Sequence, residues 1–168
     1  MIETERLLLR PMVAEDAVPL LRVFADPLVM ASFGVPPFGP EQMERWVARN
    51  LAHQSTQGYG LFSVVLKESG LLIGDCGLTR MTLGGVDEVE LGYDLCSDYW
   101  NRGLATEAAC AVRDDAFATL GLPRLVSLIR QGNAASRRVA EKVGMRHEAD
   151  LVEDGRDYWL YSLERGSG

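Results

Sequence analysis

The run Trp100-Asn101-Arg102-Gly103-Leu104-Ala105-Thr106-Glu107 joins an apolar strand-like segment to an alanine-rich helical one. Such a turn presents bare backbone N–H groups to an anion, backed by the helix dipole, and Gly103 lets the chain come close to what it binds. The chemistry it suits is phosphate capture by the amides of Asn101, Arg102, Gly103, Leu104, Ala105 and Thr106. The Arg102 guanidinium and the Thr106 hydroxyl are candidate side-chain additions. Taken alone, the pattern fits an ordinary tight connection equally well.

Immediately upstream the residues alternate. Val89, Leu91, Tyr93 and Leu95 share one face of a strand, and Glu88, Glu90, Gly92 and Asp94 the other. Glu90 beside Gly92, whose missing side chain admits a ligand, is a candidate general base. Asp94 is a weaker competitor, and a solvated strand glutamate like Glu88 is the plain alternative. Downstream, Asn133 is a good N-cap for a helix ending at Gly144. The inward stripe of that helix, Ser136, Val139, Ala140 and Val143, places a hydroxyl among apolar residues. That serine could equally bond back to its own helix.

The elements that must position these residues follow from periodicity. Arg6 to Met12 reads as a strand buried on both faces, Ala14 to Ala25 as a helix ended by Asp26-Pro27, and Leu28 to Pro40 as a long irregular connection. Glu41 to His53 resumes helix. Tyr59–Lys67 and Leu71–Met81 form a hairpin, and Gly84-Gly85 makes the next turn. The helix after Gly103 runs to about Leu120 and stops at Gly121, and Arg124 to Arg130 follows as a strand. Strand, helix and strand with short links make a right-handed crossover between parallel strands, whose ligands sit beyond the strands' carboxyl ends. Met145–Val152 and Arg156–Leu163 close the chain as a hairpin.

Composition narrows the function classes. A chain of 168 residues with 47% hydrophobic and 24% charged residues fits one globular domain, expected over residues 1–165, with 166–168 as a flexible tail. No apolar run approaches the roughly 18 residues of a membrane span, and Met1 to Arg6 does not read as a signal peptide, so a cytoplasmic location is expected. A net charge of -7 argues against non-specific nucleic-acid binding and mildly favours cationic partners such as amines. Cys76, Cys96 and Cys110 are odd in number and lack CxxC spacing, so they read as reduced thiols. His53 and His147 have no partners at ligand spacing, and no metal site is implied.

Taken together the two motifs resemble the GCN5-related N-acetyltransferase (GNAT) superfamily over nearly the whole chain. Its acetyl-coenzyme A (acetyl-CoA) signature, Gln/Arg-x-x-Gly-x-Gly/Ala, is matched by Trp100-Asn101-Arg102-Gly103-Leu104-Ala105, with Trp100 departing from the usual first residue. The second signature, from an Asn through a short helix to Glu-Lys-x-Gly-Phe, is matched by Asn133 through Glu141-Lys142-Val143-Gly144-Met145. Many members carry a tyrosine seven residues after the Asn, where this chain has Ala140. Ser136, three residues after it, is similar to the ribosomal-protein alanine acetyltransferase (RimJ/RimL) branch, as are Asp26-Pro27-Leu28-Val29, Pro36-Pro37 and Trp46.

The resemblance implies an α+β fold: a mixed, mostly antiparallel seven-stranded sheet with about four flanking helices and a splayed parallel pair formed by the fourth and fifth strands. It implies acetyl-CoA as donor, its pyrophosphate on the amides of 101–106 and its pantetheine arm against the backbone near Leu95 and Cys96, with Asn133 on the other side. It implies Glu90 as base, by similarity to the histone-acetylating branch, and Ser136 as a hydrogen-bond donor that positions the sulfur. The acceptor is a primary amine, of a protein N-terminus or a small molecule, in a pocket between the Leu28–Pro40 loop and the hairpin near Gly155. Phe33, Phe38, Tyr59, Tyr158 and Trp159 are candidates for its aromatic walls. A homodimer is compatible with the resemblance. A catalytically silent CoA-binding or sensing module is the competing reading.

Overall fold

The alternation over Val89 to Leu95 becomes the centre of the sheet. The structure, a computed structural model, describes residues 1–166, so all but Gly166 of the expected tail lies outside the described residues. The strands are β1 (Ile2–Glu3), β2 (Leu7–Pro11), β3 (Leu61–Leu66), β4 (Leu71–Leu83), β5 (Val86–Leu95), β6 (Arg124–Arg130), β7 (Arg146–Glu153) and β8 (Arg156–Glu164). The helices are α1 (Ala17–Phe24), α2 (Pro27–Phe33), α3 (Pro40–Gln57), α4 (Leu104–Ala118) and α5 (Ala134–Val143). One sheet runs β1-β2-β3-β4-β5-β6-β8-β7, antiparallel except for β5 and β6.

Alternation assigns the two faces. Leu91 and Leu95 of β5 pack with Leu104, Ala108 and Val112 of α4 and Ala140 and Val143 of α5 in one core. A second core lies on the opposite face, where Leu20, Val23 and Phe24 of α1 meet Val29 and Met30 of α2 and Met43 and Val47 of α3. Fully burying an aliphatic side chain is worth about 1.5–3 kcal/mol, so two cores on one sheet hold its middle strands between helices. Glu90, Gly92 and Asp94 consequently face away from α4 and α5.

Three expectations change. The sheet has eight strands, because the two-residue β1 pairs with Leu8 and Leu9 of β2; the splayed pair is therefore β5 and β6 in chain order. Among the described residues there are five α-helices, because part of the segment read as irregular is α2. Asp26 accepts a hydrogen bond from Leu28 N–H at 2.8 Å and Pro27 occupies the first turn, so Asp-Pro starts a helix here as well as ending one. In β2 only Leu7 and Leu9 are fully buried, while Leu8 and Arg10 keep partial solvent contact, so that strand is not buried on both faces.

The feature that makes the site is a fork. β5 and β6 share a parallel register pair only at Glu90 and Val126, and beyond it the strands part. Two side chains prop the parting. The Ser127 hydroxyl donates to the Leu91 carbonyl at 2.7 Å, and Leu128 N–H donates to Glu90 Oε1 at 3.3 Å. Each takes a backbone group that a continuing ladder would have paired.

Candidate active site

Two cavities meet at the fork. The larger, about 910 Å³, runs between the end of β5, the start of α4 and the flank of α5. Gly103 caps α4 with φ 77°, the left-handed region where a side chain costs energy, and the amides of Leu104, Ala105 and Thr106 follow it. Asn101, Gly103, Leu104, Ala105 and Thr106 all line this cavity, as do Leu95, Asn133 and Ser136. The turn is held from outside: Arg6 Nη1 donates to the Arg102 carbonyl at 2.9 Å, and Glu107 in the first turn of α4 pairs with Arg6 at 2.7 Å. Trp100, the departure from the family signature, donates its indole N–H to the Leu95 carbonyl at 2.9 Å and so ties the turn to the end of β5.

Two expected contacts fall outside the cavity. The Arg102 side chain lies over the Tyr99 ring at 5.6 Å, leaving only its backbone in the turn. Cys96 lines neither cavity; its N–H donates to Ile73 O at 2.8 Å and its carbonyl accepts from Tyr99 N–H at 3.0 Å. Of the strand end that the resemblance implied, Leu95 lines the larger cavity together with Tyr93 and Asp94, and Cys96 does not. The chain leaves the cavity one residue earlier than expected, because the short 3-10 turn at Ser97–Tyr99 draws Cys96 into the second core.

The smaller cavity, about 230 Å³, opens from the same fork toward α2 and β8. Glu90, Gly92 and Asp94 form its floor, and Thr79, Phe33 and Tyr158 stand at its sides. A Cβ built on Gly92 meets nothing within 4 Å, so this glycine leaves open floor between two carboxyls. Burial pushes the Glu90 carboxyl up to about 7, against the pull of the Leu128 N–H. Burial raises Asp94 as well, and the charge of Glu90 adds to it. Of the five aromatic candidates, Phe33 and Tyr158 line this cavity. Phe38 instead stacks on Phe24 at 5.6 Å, Tyr59 meets His53 at 5.5 Å, and Trp159 lies under Arg137 at 5.2 Å.

Ser136 stands where the cavities join, and so does Asn133. Asn133 caps α5 by accepting from Ser136 N–H at 3.1 Å, while its own amide donates to Ser136 Oγ at 2.9 Å. The serine oxygen is thus an acceptor inside the cap, which leaves its hydrogen free to point into the cavity. Tyr93 braces the same turn by donating its hydroxyl to the Ser136 carbonyl at 2.8 Å, above the fully buried Ala140.

Other lining residues went unread in the sequence. Arg138 and Lys142 of α5 line the larger cavity, and Arg130 lines both. Arg138 and Lys142 are four apart, one step off the apolar stripe of α5, and that basic i,i+4 pair was the available signal. Arg130 reaches across the backbone of Gly34, where a Cβ would come within 1.2 Å of Nη1. Nothing local in the sequence shows that crossing.

Comparison with known proteins agrees with this geometry. The family model described as an acetyltransferase (GNAT) domain matches residues 6–146. The N-acetyltransferase p20 of Bacillus licheniformis is 31% identical over 168 residues, covering 95% of this chain and 93% of its own. A solved acetyltransferase of Agrobacterium tumefaciens str. C58 is 34% identical with a TM-score of 0.83, covering 97% of this chain and 93% of its own. The fold is also that of RimL, a ribosomal L7/L12 alpha-N-protein acetyltransferase solved with coenzyme A, at a TM-score of 0.80 and 16% identity over 98% of this chain and 97% of that one. A fork between parallel strands, an amide-lined helix start beside it and a match over most of the chain lead to one conclusion: the chain belongs to the GNAT family and is an acetyltransferase.

Proposed function

We propose that this acetyltransferase moves acetyl from acetyl-CoA to a primary amine by direct attack, with no covalent enzyme intermediate. The observation that carries the reading is the junction at the fork, where a cavity of backbone amides and cations opens into one floored by carboxyls. The residues fit the donor. The α4 amides suit a pyrophosphate, and Arg138 and Lys142 add positive charge along the wall. Acetyl-CoA supplies a thioester carbonyl and a thiolate leaving group; the rest is done by the chain.

Glu90 is the base. A lysine-like or N-terminal amine is largely protonated at neutral pH, and a carboxyl raised to about 7 is matched to removing its proton there. Ser136 positions the sulfur through its free hydroxyl hydrogen. A thiol of pKa about 8.5 leaves without needing an acid, so this is an orienting contact. The Tyr93–Leu95 edge, where β5 has lost its β6 partner, holds the pantetheine arm. A cavity of about 230 Å³ takes a short amine or the end of a peptide. Among the described residues no helix is long and apolar enough to cross a membrane.

The test is a panel of amines and N-terminal peptides mixed with the protein and acetyl-CoA, read by thiol release. Release with one acceptor class, lost in Glu90→Gln, supports the reading. Tight acetyl-CoA binding with no release for any acceptor supports a sensor instead.

A further inference from the structure

β4 and β5 place two carboxyls directly opposite each other. Asp75 and Asp94 are register partners, and facing side chains of an antiparallel pair lie about 5 Å apart at Cβ, where like charges repel. Asp75 is fully buried, and neither carboxyl oxygen has a hydrogen-bonding partner among the described residues. The polar groups one strand further out are committed elsewhere. Ser63, opposite Asp75 on β3, donates its hydroxyl to Asp16 at 2.7 Å, and Asp16 is paired with Arg10 at 2.6 Å. A buried charge without a partner costs far more than a buried acid, so burial first and the charge of Asp94 second push the Asp75 carboxyl well above the usual carboxylate range.

Asp94 is placed differently. It lines both cavities, whereas Glu90 lines only the smaller one. Its carboxylate makes no hydrogen bond or ion pair with a described residue. It is the carboxyl shared by the two cavities, and the junction is where donor carbonyl and acceptor nitrogen have to meet.

The proton balance of the reaction asks for more than one acceptor. An ammonium loses two protons on becoming an amide, one before attack and one as the amide forms. We propose that Asp94 is a second proton-accepting residue of the transfer, taking the proton that nitrogen sheds as the amide forms while Glu90 takes the one shed before attack. The nitrogen lone pair makes the C–N bond, the C–S bond breaks with its electron pair going to sulfur, one carboxyl returns its proton to the thiolate and the other to water. Both carboxylates are then restored. Asp75 stands directly opposite Asp94 across the β4–β5 ladder, while burial first and the charge of Glu90 second raise the proton affinity of Asp94. This inference rests on the acetyl-transfer reading above.

The titratable and charged groups around Asp94 are Asp75 and Cys76 of β4, Glu90 and Tyr93 of its own strand, Arg130 of β6, and Arg138 and Lys142 of α5 across the larger cavity. The experiment is the pH dependence of kcat at saturating substrates, with acetyl-CoA affinity measured by calorimetry. The wild type is expected to lose log kcat toward acid with a slope approaching about 2, because two carboxylates must be ionised. Asp94→Asn is expected to reduce the slope to about 1 and kcat at pH 7.5 by about 100-fold, with acetyl-CoA affinity within about twofold. Asp94→Glu restores the second step at reduced kcat, which keeps the test sound if the Asn variant is unstable. Asp75→Asn puts an amide donor beside Asp94 and moves one of the two steps to lower pH by about half a unit. A slope still near 2 in Asp94→Asn, or a loss of acetyl-CoA affinity equal to the loss of kcat, overturns the role. Absence of thiol release by the wild type with every amine overturns the acetyl-transfer reading itself, and so is told apart from a failure of Asp94 alone.

Discussion

The two cavities at the fork are made of different material. The larger is a backbone site: helix-start amides fixed by a left-handed glycine, with the turn pinned by Arg6 and by the Trp100–Leu95 bond. The smaller is a side-chain site, whose two carboxyls hold few hydrogen bonds and have raised pKa values. A backbone site is rigid at low energetic cost, because its donors are already oriented by the helix. A side-chain site built from desolvated acids is held at an electrostatic penalty, on which the proposed chemistry would draw.

The division of labour can be broken most decisively at Glu90. Glu90→Gln is expected to lower kcat by about 100-fold or more while acetyl-CoA affinity, by calorimetry, stays within about twofold. An equal loss in both would mean that the cavities do not divide the work. The converse change is Gly103→Val. A branched side chain at φ 77° costs about 1–2 kcal/mol, so acetyl-CoA affinity should weaken by about tenfold with kcat at saturation largely kept.

A stability measurement sharpens the same contrast. The unfolded chain releases the Glu90 proton near the ordinary 4.5, whereas the folded chain keeps it to about 7. The folded state therefore loses stability from this group as pH rises from 4.5 through 7, and the loss is complete above 7. Glu90→Gln should then be more stable than the wild type at pH 8, by about 1–2 kcal/mol once partial solvent contact is allowed for, and no more stable at pH 4. Denaturant melts at the two pH values give the difference directly. The smallest effect is expected at Asp26, which caps α2 and accepts the Ser97 hydroxyl from the turn after β5. Asp26→Ala should cost about 1 kcal/mol in a denaturant melt and raise the acceptor KM more than the acetyl-CoA KM.

How much of this was readable along the chain follows the same split. Residues 100–106 and 133–145 are contiguous, and their chemistry depends on helix starts that local sequence announces, so the backbone site was visible. Glu90 stood out by alternation, but its raised pKa comes from burial by the folded chain, set against a bond from Leu128 N–H 38 residues away, and no local pattern carries either. Cys96 falls outside both cavities because a three-residue turn redirects the chain between a strand and a helix that were both read well. Helix α2 was missed because Asp26-Pro27 is both a stop and a start, and only the first meaning was used. Arg130 reaches the site across Gly34, a contact between segments almost a hundred residues apart.

The fork also gives the sheet an edge in its own interior. Past Glu90 and Val126 the β5–β6 backbone ladder stops and only the side-chain bonds of Ser127 and Glu90 cross, so amides there should exchange with solvent faster than those of the β4–β5 ladder. On the proposed reading, a donor lying in the gap would supply the missing rung and bind only the folded chain. Folding and donor binding are then one equilibrium, in which each tenfold excess of free donor over its Kd adds about 1.4 kcal/mol to the stability of the protein. On that reading the enzyme's resistance to unfolding would become a measure of how much acetyl donor surrounds it.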